Sequence, residues 1–168
     1  MRSLVTWPRA PLYWAATAAL CLLLETVALY YQYQLDYYPC VLCIHVRMLL
    51  AALLLISLIA LITPKLRYGA FILATGVWVW MLKKSYDLFA TENGWTIGEC
   101  SMESGLPSWL ALEKWFPWLF QIHEPCGYTP YLIMKFSMAQ ALLGLSVMAV
   151  IICIICLLMP LFKDQTRY

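Results

Sequence analysis

Charged residues are scarce in this chain. Asp, Glu, Lys and Arg make up 12% of its 168 residues, where a soluble domain carries roughly 25%. Hydrophobic residues reach 64% against the usual 45–50% or so. A water-soluble globular domain is excluded on these grounds. The net charge of +2 gives no basic footprint for nucleic acid. The strand alternation of a membrane β-barrel is also missing, so helices are left to satisfy the backbone in lipid.

What the chain does have is long apolar runs, seven cysteines and eight tryptophans. A helical span needs about 20 apolar residues. Four stretches qualify, at about 11–31, 41–63, 68–89 and 138–162. The expected architecture is an all-α membrane protein, a four-transmembrane-helix bundle forming one membrane domain over residues 1–168. The third run is the weakest, because Lys83 and Lys84 interrupt it near its end. The first run follows Arg2 and Arg9, as a signal peptide would. Its length, its Glu25 and its ending "VALYYQYQ", which offers no small-x-small cleavage site, predict an uncleaved helix instead.

Four spans put both termini on one side, together with Lys65 and Arg67 of the short middle connection. The long connection at about 90–137 holds Lys114 and Lys135 against Glu92, Glu99, Glu103, Glu113 and Glu124. Positive charge concentrates on cytoplasmic loops, so the termini are expected in the cytoplasm. Lys83 and Lys84 oppose this orientation, but their long stems can snorkel to the interface. The loops at about 32–40 and 90–137 then face outward, where disulfides persist.

Cys21, Cys153 and Cys156 fall inside the predicted spans and read as small apolar packers. "CIIC" at 153–156 spells Cys-x-x-Cys, yet no charge or helix end is near it. Cys40, Cys43, Cys100 and Cys126 lie on the outer side and allow three pairings. Proximity favours Cys40 with Cys43, leaving Cys100 with Cys126. Zinc would need closer ligands in the second half than Cys100 and Cys126 provide, and His123 has no ligand partner in sequence. Two structural disulfides and a redox relay both remain compatible with the spacing.

Physical chemistry favours redox work at "YYPCVLCIHVR", residues 37–47. Pro39 suits a helix start, which places Cys40 and Cys43 in the first turn of the second span. Three residues apart, they share a face. A helix N-terminus favours an anion by about 0.3–1 kcal/mol. Arg47 lies one turn deeper than Cys43 on that face. An arginine at a span's edge is costly and calls for a task or a partner. Glu25, in the outer half of the first span, is a candidate partner for Arg47 or for a polar ligand. His45 points away from both Cys43 and Arg47 and reads as a packing residue.

The outer loop has two unlike parts. "TENGWTIGECSMESGLPS" reads as exposed chain carrying Cys100. "WLALEKWFPWLFQIHEPCGY" is aromatic, broken by Pro117, and reads as an amphipathic piece on the membrane surface that carries Cys126.

Taken together, "PCVLCIHVR" opening the second run, "LETVALYYQ" in the first and "LEKWFPWLF" in a loop with two cysteines resemble the DsbB family of bacterial inner-membrane disulfide-generating proteins. The resemblance covers nearly the whole chain. It implies a quinone-dependent thiol oxidoreductase that re-oxidises a periplasmic DsbA-like thioredoxin-fold protein and passes two electrons to ubiquinone or menaquinone. It assigns Cys100 to the partner's attack, Cys126 to exchange with Cys40, and Cys43 with Arg47 to the quinone. Glu25 is carried as a further cofactor-binding candidate. Implied too are the bacterial inner membrane and contact with lipid and the quinone pool; the small net charge, the cysteine spacing and the small size lead to the expectation of no nucleic acid, no metal and a monomer. One departure stands out: family members can carry a histidine near the outer end of the third span, where this chain reads "SYDLFAT". Asp87, or water, is the candidate substitute.

Two other readings compete. A vitamin-K-epoxide-reductase-like enzyme also uses a loop cysteine pair, but places its Cys-x-x-Cys late in the chain. A four-span scaffold with a structurally disulfide-bonded outer loop, as in tetraspanins, would carry a Cys-Cys-Gly element, which is absent.

Overall fold

The computed structural model describes residues 10–95, 112–120, 122, 131–133 and 136–165. Four long helices dominate them: α1 (Pro11–Gln34), α2 (Val41–Ile62), α3 (Arg67–Glu92), and, after two four-residue helices and a two-strand pairing, α6 (Met138–Gln165). The short elements are α4 (Leu112–Trp115), α5 (Pro117–Phe120), β1 (Tyr131–Ile133) and β2 (Phe136–Ser137), the last two antiparallel. The long helices coincide with the four apolar runs to within a few residues. Among the described residues, three helices are long and apolar enough to cross a membrane: Pro11–Gln34, Val41–Ile62 and Met138–Leu158. Helix α3 falls outside that set, in keeping with Lys83 and Lys84 near its end.

Local chemistry explains where the helices stop. Helix α1 begins with Pro at its first position, where a missing N–H costs nothing. After Leu35 the chain turns through Asp36 at φ 53°, a left-handed conformation that Asp tolerates better than most residues. That turn returns the chain to the start of α2. At the other end of α2, Thr63 closes the helix on the Ile59 carbonyl, and Pro64 opens a single 3₁₀ turn. Arg67 reaches back to donate from Nε to the Ala60 carbonyl at 3.0 Å, a cation at a helix C-terminus.

Helix α3 ends in a Schellman motif. Gly94, at φ +70°, donates to Thr91 and Trp95 donates to Ala90, while Trp95 packs edge-on against Phe89. Helix α6 opens with a capping box. Ser137 Oγ accepts the Gln140 amide, and Gln140 Oε1 accepts the Ser137 amide. The Ser137 hydroxyl also donates to Glu92 Oε2 at 2.8 Å, tying the end of α3 to the start of α6.

Helix α1 packs on α2, α2 on α3, and α3 on α6. The main core holds Trp14, Leu53, Phe71, Trp78, Met81 and Cys153. A second cluster sits at the end where α2 starts, α3 ends and α6 starts, built from Cys40, Val41, Leu42, Leu88 and Ala139. Outward faces carry exposed apolar side chains such as Leu23, Leu55, Leu73 and Met148, as lipid-facing surfaces do. Helices α1 and α6 are not one of these closely packed pairs, and an apolar cavity lies between them.

Candidate functional site

The site begins at the first turn of α2. Cys40 is the N-cap, in extended conformation, and Pro39 stands just before the cap rather than inside the helix as expected. The Cys40 sulfur accepts the Cys43 backbone N–H at 3.4 Å. Serine or threonine usually fills that capping role; here a sulfur fills it. The two sulfurs stand 3.1 Å apart as a thiol pair. Cys40 is buried, 3% exposed, whereas Cys43 is half-buried and opens onto the cavity.

One turn deeper, Arg47 is 5% exposed. Its Nη1 donates to Gln32 Oε1 at 2.6 Å and to the Leu119 carbonyl at 3.1 Å, and its Nη2 donates to the Ala28 carbonyl at 3.1 Å. Ala28 and Gln32, four residues apart on α1, share a face, so one helix supplies two of the three acceptors. The third comes from α5, which Tyr33 also holds through a 2.6 Å bond from its hydroxyl to the Trp118 carbonyl. The aromatic loop segment is thus pinned onto the end of α1, with Trp115 and Trp118 exposed and Phe120 buried.

Cys43 and Arg47 form the polar corner of a cavity of about 320 Å³. Leu20, Leu24 and Val27 of α1, Val46 and Leu50 of α2, and Leu142 and Leu145 of α6 supply apolar walls. Tyr31, Tyr37 and Tyr38 line it near the start of α2. Small-molecule sites run about 300–1,000 Å³, apolar with a few placed polar groups. A single-ring headgroup with an apolar tail fits this donor set: a thiol, a guanidinium and otherwise hydrocarbon.

The remaining candidates fall elsewhere. Glu25 is electrostatically coupled to Arg47, but it does not line the cavity. Both of its carboxylate oxygens are buried without a hydrogen bond among the described residues. His45 is half-buried and also off the cavity wall. From α3 it is Leu88, not Asp87, that reaches the cavity. Cys21, Cys153 and Cys156 are buried in the main core, as expected of packers. Cys100 and Cys126 lie outside the described residues. The described residue nearest to Cys126 in sequence is Ile122, which packs on the cluster containing Cys40.

The family model described as Disulfide bond formation protein DsbB matches residues 10–156. The chain belongs to the DsbB family. Proteins named Disulfide bond formation protein B are its relatives. That of Yersinia enterocolitica is 33% identical over 161 residues, covering 92% of this chain and 89% of that protein. That of Shewanella denitrificans is 32% identical, covering 83% and 82%. That of Aeromonas salmonicida is 31% identical, covering 79% of each. A DsbB-family chain with three helices fit to span is a multi-pass membrane protein.

Within this DsbB-family site, Gln32 and the Leu119 carbonyl escaped the sequence reading. A backbone acceptor leaves no trace in side-chain identity. Gln32 did leave a signal: it lies seven residues after Glu25 and four after Ala28, so one helical stripe of an apolar run carries both polar groups.

Proposed function

We propose that this protein makes disulfides de novo, taking electrons from a periplasmic DsbA-like dithiol protein and delivering them to a membrane quinone. The observation that carries this reading is the apolar cavity that Cys43 and Arg47 enter together from one helix face. In this reading the protein sits in the bacterial inner membrane with α3 as a fourth span, the termini cytoplasmic and the exposed tryptophans of the loop at the headgroup level.

Cys100 presents the loop disulfide with Cys126 to the partner's thiolate. The mixed disulfide forms at Cys100 and Cys126 leaves as a thiolate. Cys126 then attacks Cys40 of the Cys40–Cys43 disulfide, and Cys43 leaves as the thiolate facing the cavity. The partner's second thiol displaces Cys100 and departs oxidised. Return of Cys100 to Cys126 restores the loop disulfide and leaves Cys40 and Cys43 reduced. Exchange runs through thiolates and depends on the leaving sulfur's acidity. The start of α2 and Arg47 both favour negative charge on the Cys43 sulfur. Bound in the cavity, a quinone supplies the acceptor for the two electrons and two protons of this dithiol. Ile122 against the Cys40 cluster leaves Cys126 four residues away, about 14 Å of extended chain at most. The burial of Cys40 requires that cover to shift during exchange.

Purified protein in detergent, given a reduced thioredoxin-fold dithiol protein and a short-tailed ubiquinone, tests the reading by loss of quinone absorbance. Turnover is expected in the native chain and absent in Cys43→Ser and Cys100→Ser. Normal turnover in both variants rules the relay out.

A further inference from the structure

We infer that Gln32 is a positioning residue for the thiol–quinone step, holding Arg47 with a neutral acceptor so that its positive charge stays directed at Cys43 and the cavity. The inference deepens the quinone reading and rests on it.

Every hydrogen-bond acceptor that the described residues give Arg47 is uncharged: the Gln32 amide oxygen and the carbonyls of Ala28 and Leu119. The 2.6 Å contact to Gln32 is the shortest of the three, and both side chains are at least 95% buried. A buried arginine is ordinarily matched by a carboxylate, because an unpaired charge is costly. Among the described residues the acid that acts electrostatically on Arg47, Glu25, makes no hydrogen bond to it. The three oxygens that bond the guanidinium are neutral and solvate it without pairing its charge, and Glu25 acts on it without a hydrogen bond. A carboxylate in the place of Gln32 would form an ion pair and spend the field that a leaving thiolate needs.

Geometry makes Gln32 the adjustable member of the set. The Ala28 and Leu119 acceptors are backbone atoms that no substitution removes. Gln32 itself does not line the cavity, so it acts through Arg47 alone. Its neighbour Gln34 is exposed, which separates the buried amide from a merely polar helix end.

Two variants test this: Gln32→Glu, which keeps shape and acceptor but adds a negative charge, and Gln32→Met, which keeps length but removes the acceptor. The first readout is KM against kcat for the short-tailed ubiquinone with the reduced dithiol partner. The second needs no quinone: the iodoacetamide alkylation rate of Cys43 at neutral pH, in chains also carrying Cys40→Ser, Cys100→Ser and Cys126→Ser. In that background the other thiols, Cys21, Cys153 and Cys156, are buried.

Gln32→Glu is expected to slow alkylation about tenfold and to raise the quinone KM about tenfold, the effect of roughly one pKa unit of lost charge stabilisation. Gln32→Met is expected to raise KM while leaving alkylation within about twofold of the parent. Equal slowing of alkylation in both variants, or unchanged KM and alkylation with only a lowered melting temperature, overturns the proposal. If Gln32→Glu does not fold, a native KM in Gln32→Met overturns it. Absence of quinone turnover in the native chain instead sinks the quinone reading, while the alkylation comparison still decides the role of Gln32.

Discussion

Cys40 caps the helix on which Cys43 rides: its sulfur accepts the Cys43 amide at 3.4 Å and stands 3.1 Å from the Cys43 sulfur. In the proposed relay one atom is therefore both helix cap and exchange partner.

Substitution separates the two duties of Cys40. Cys40→Ser keeps a good capping oxygen and removes the exchangeable sulfur. It should fold with native thermal stability in detergent and show no quinone reduction. Cys40→Ala loses both, and an N-cap loss costs about 0.5–2 kcal/mol, with the weak sulfur acceptor pointing to the low end. Thermal melts of the two variants, compared with the native chain, check the difference.

Arg47→Lys keeps the charge but cannot reproduce a guanidinium that reaches Ala28, Gln32 and Leu119 at once. Quinone KM should rise, and the lysine should restore only part of what Arg47→Ala loses. Hydrogen bonds to charged groups are worth about 1.5–3 kcal/mol. The alanine variant should accordingly lose about tenfold to a hundredfold in kcat/KM for quinone. Steady-state kinetics with varied quinone at saturating dithiol partner measure this, and equal KM values for Arg47, Lys and Ala would return Arg47 to a structural role.

The sequence made the long helices legible because hydropathy over twenty residues averages out local error. It also made the Cys40, Cys43 and Arg47 face legible, because spacing on a helix translates directly into direction. The weak third run was readable too: Lys83 and Lys84 lower its hydropathy, and α3 is the long helix that stays outside the span-capable set. What spacing could not convey was contact between segments far apart in the chain. The link between Arg47 and Leu119 joins residues 72 positions apart through a backbone oxygen. Leu88 was visible only as the lack of a histidine, and its place on the cavity wall depends on how α3 meets α2 and α6. Glu25 drew attention by its charge, whereas the less conspicuous amide of Gln32 holds the guanidinium.

The loop contact has its own test. Tyr33→Phe removes the hydroxyl that donates to the Trp118 carbonyl at 2.6 Å and leaves the ring in place. An intramolecular hydrogen bond contributes about 0.5–1.5 kcal/mol. The amides of Leu119 and Phe120, which bond to the Phe116 carbonyl, should then exchange about twofold to tenfold faster. Hydrogen–deuterium exchange over residues 117–120 reads this out. Unchanged protection would mean that Arg47 alone holds the segment.

Cavity occupancy can be challenged from α6, which faces α1 across the cavity. Ala141 of α6 lines the cavity, yet is itself exposed, so a larger side chain there can enter the mouth without displacing buried packing. Ala141→Trp should raise the quinone KM at least about tenfold, because the indole takes volume that a ring headgroup needs. It should leave disulfide exchange between the dithiol partner and the loop unchanged, since neither Cys100 nor Cys126 touches the quinone in this scheme. Ile151→Trp, on an exposed face of the same helix away from the cavity, should change neither. Stopped-flow measurement of partner oxidation in a single turnover separates the two steps. Slowed exchange in Ala141→Trp would mean that the α1–α6 cavity receives the loop rather than the quinone.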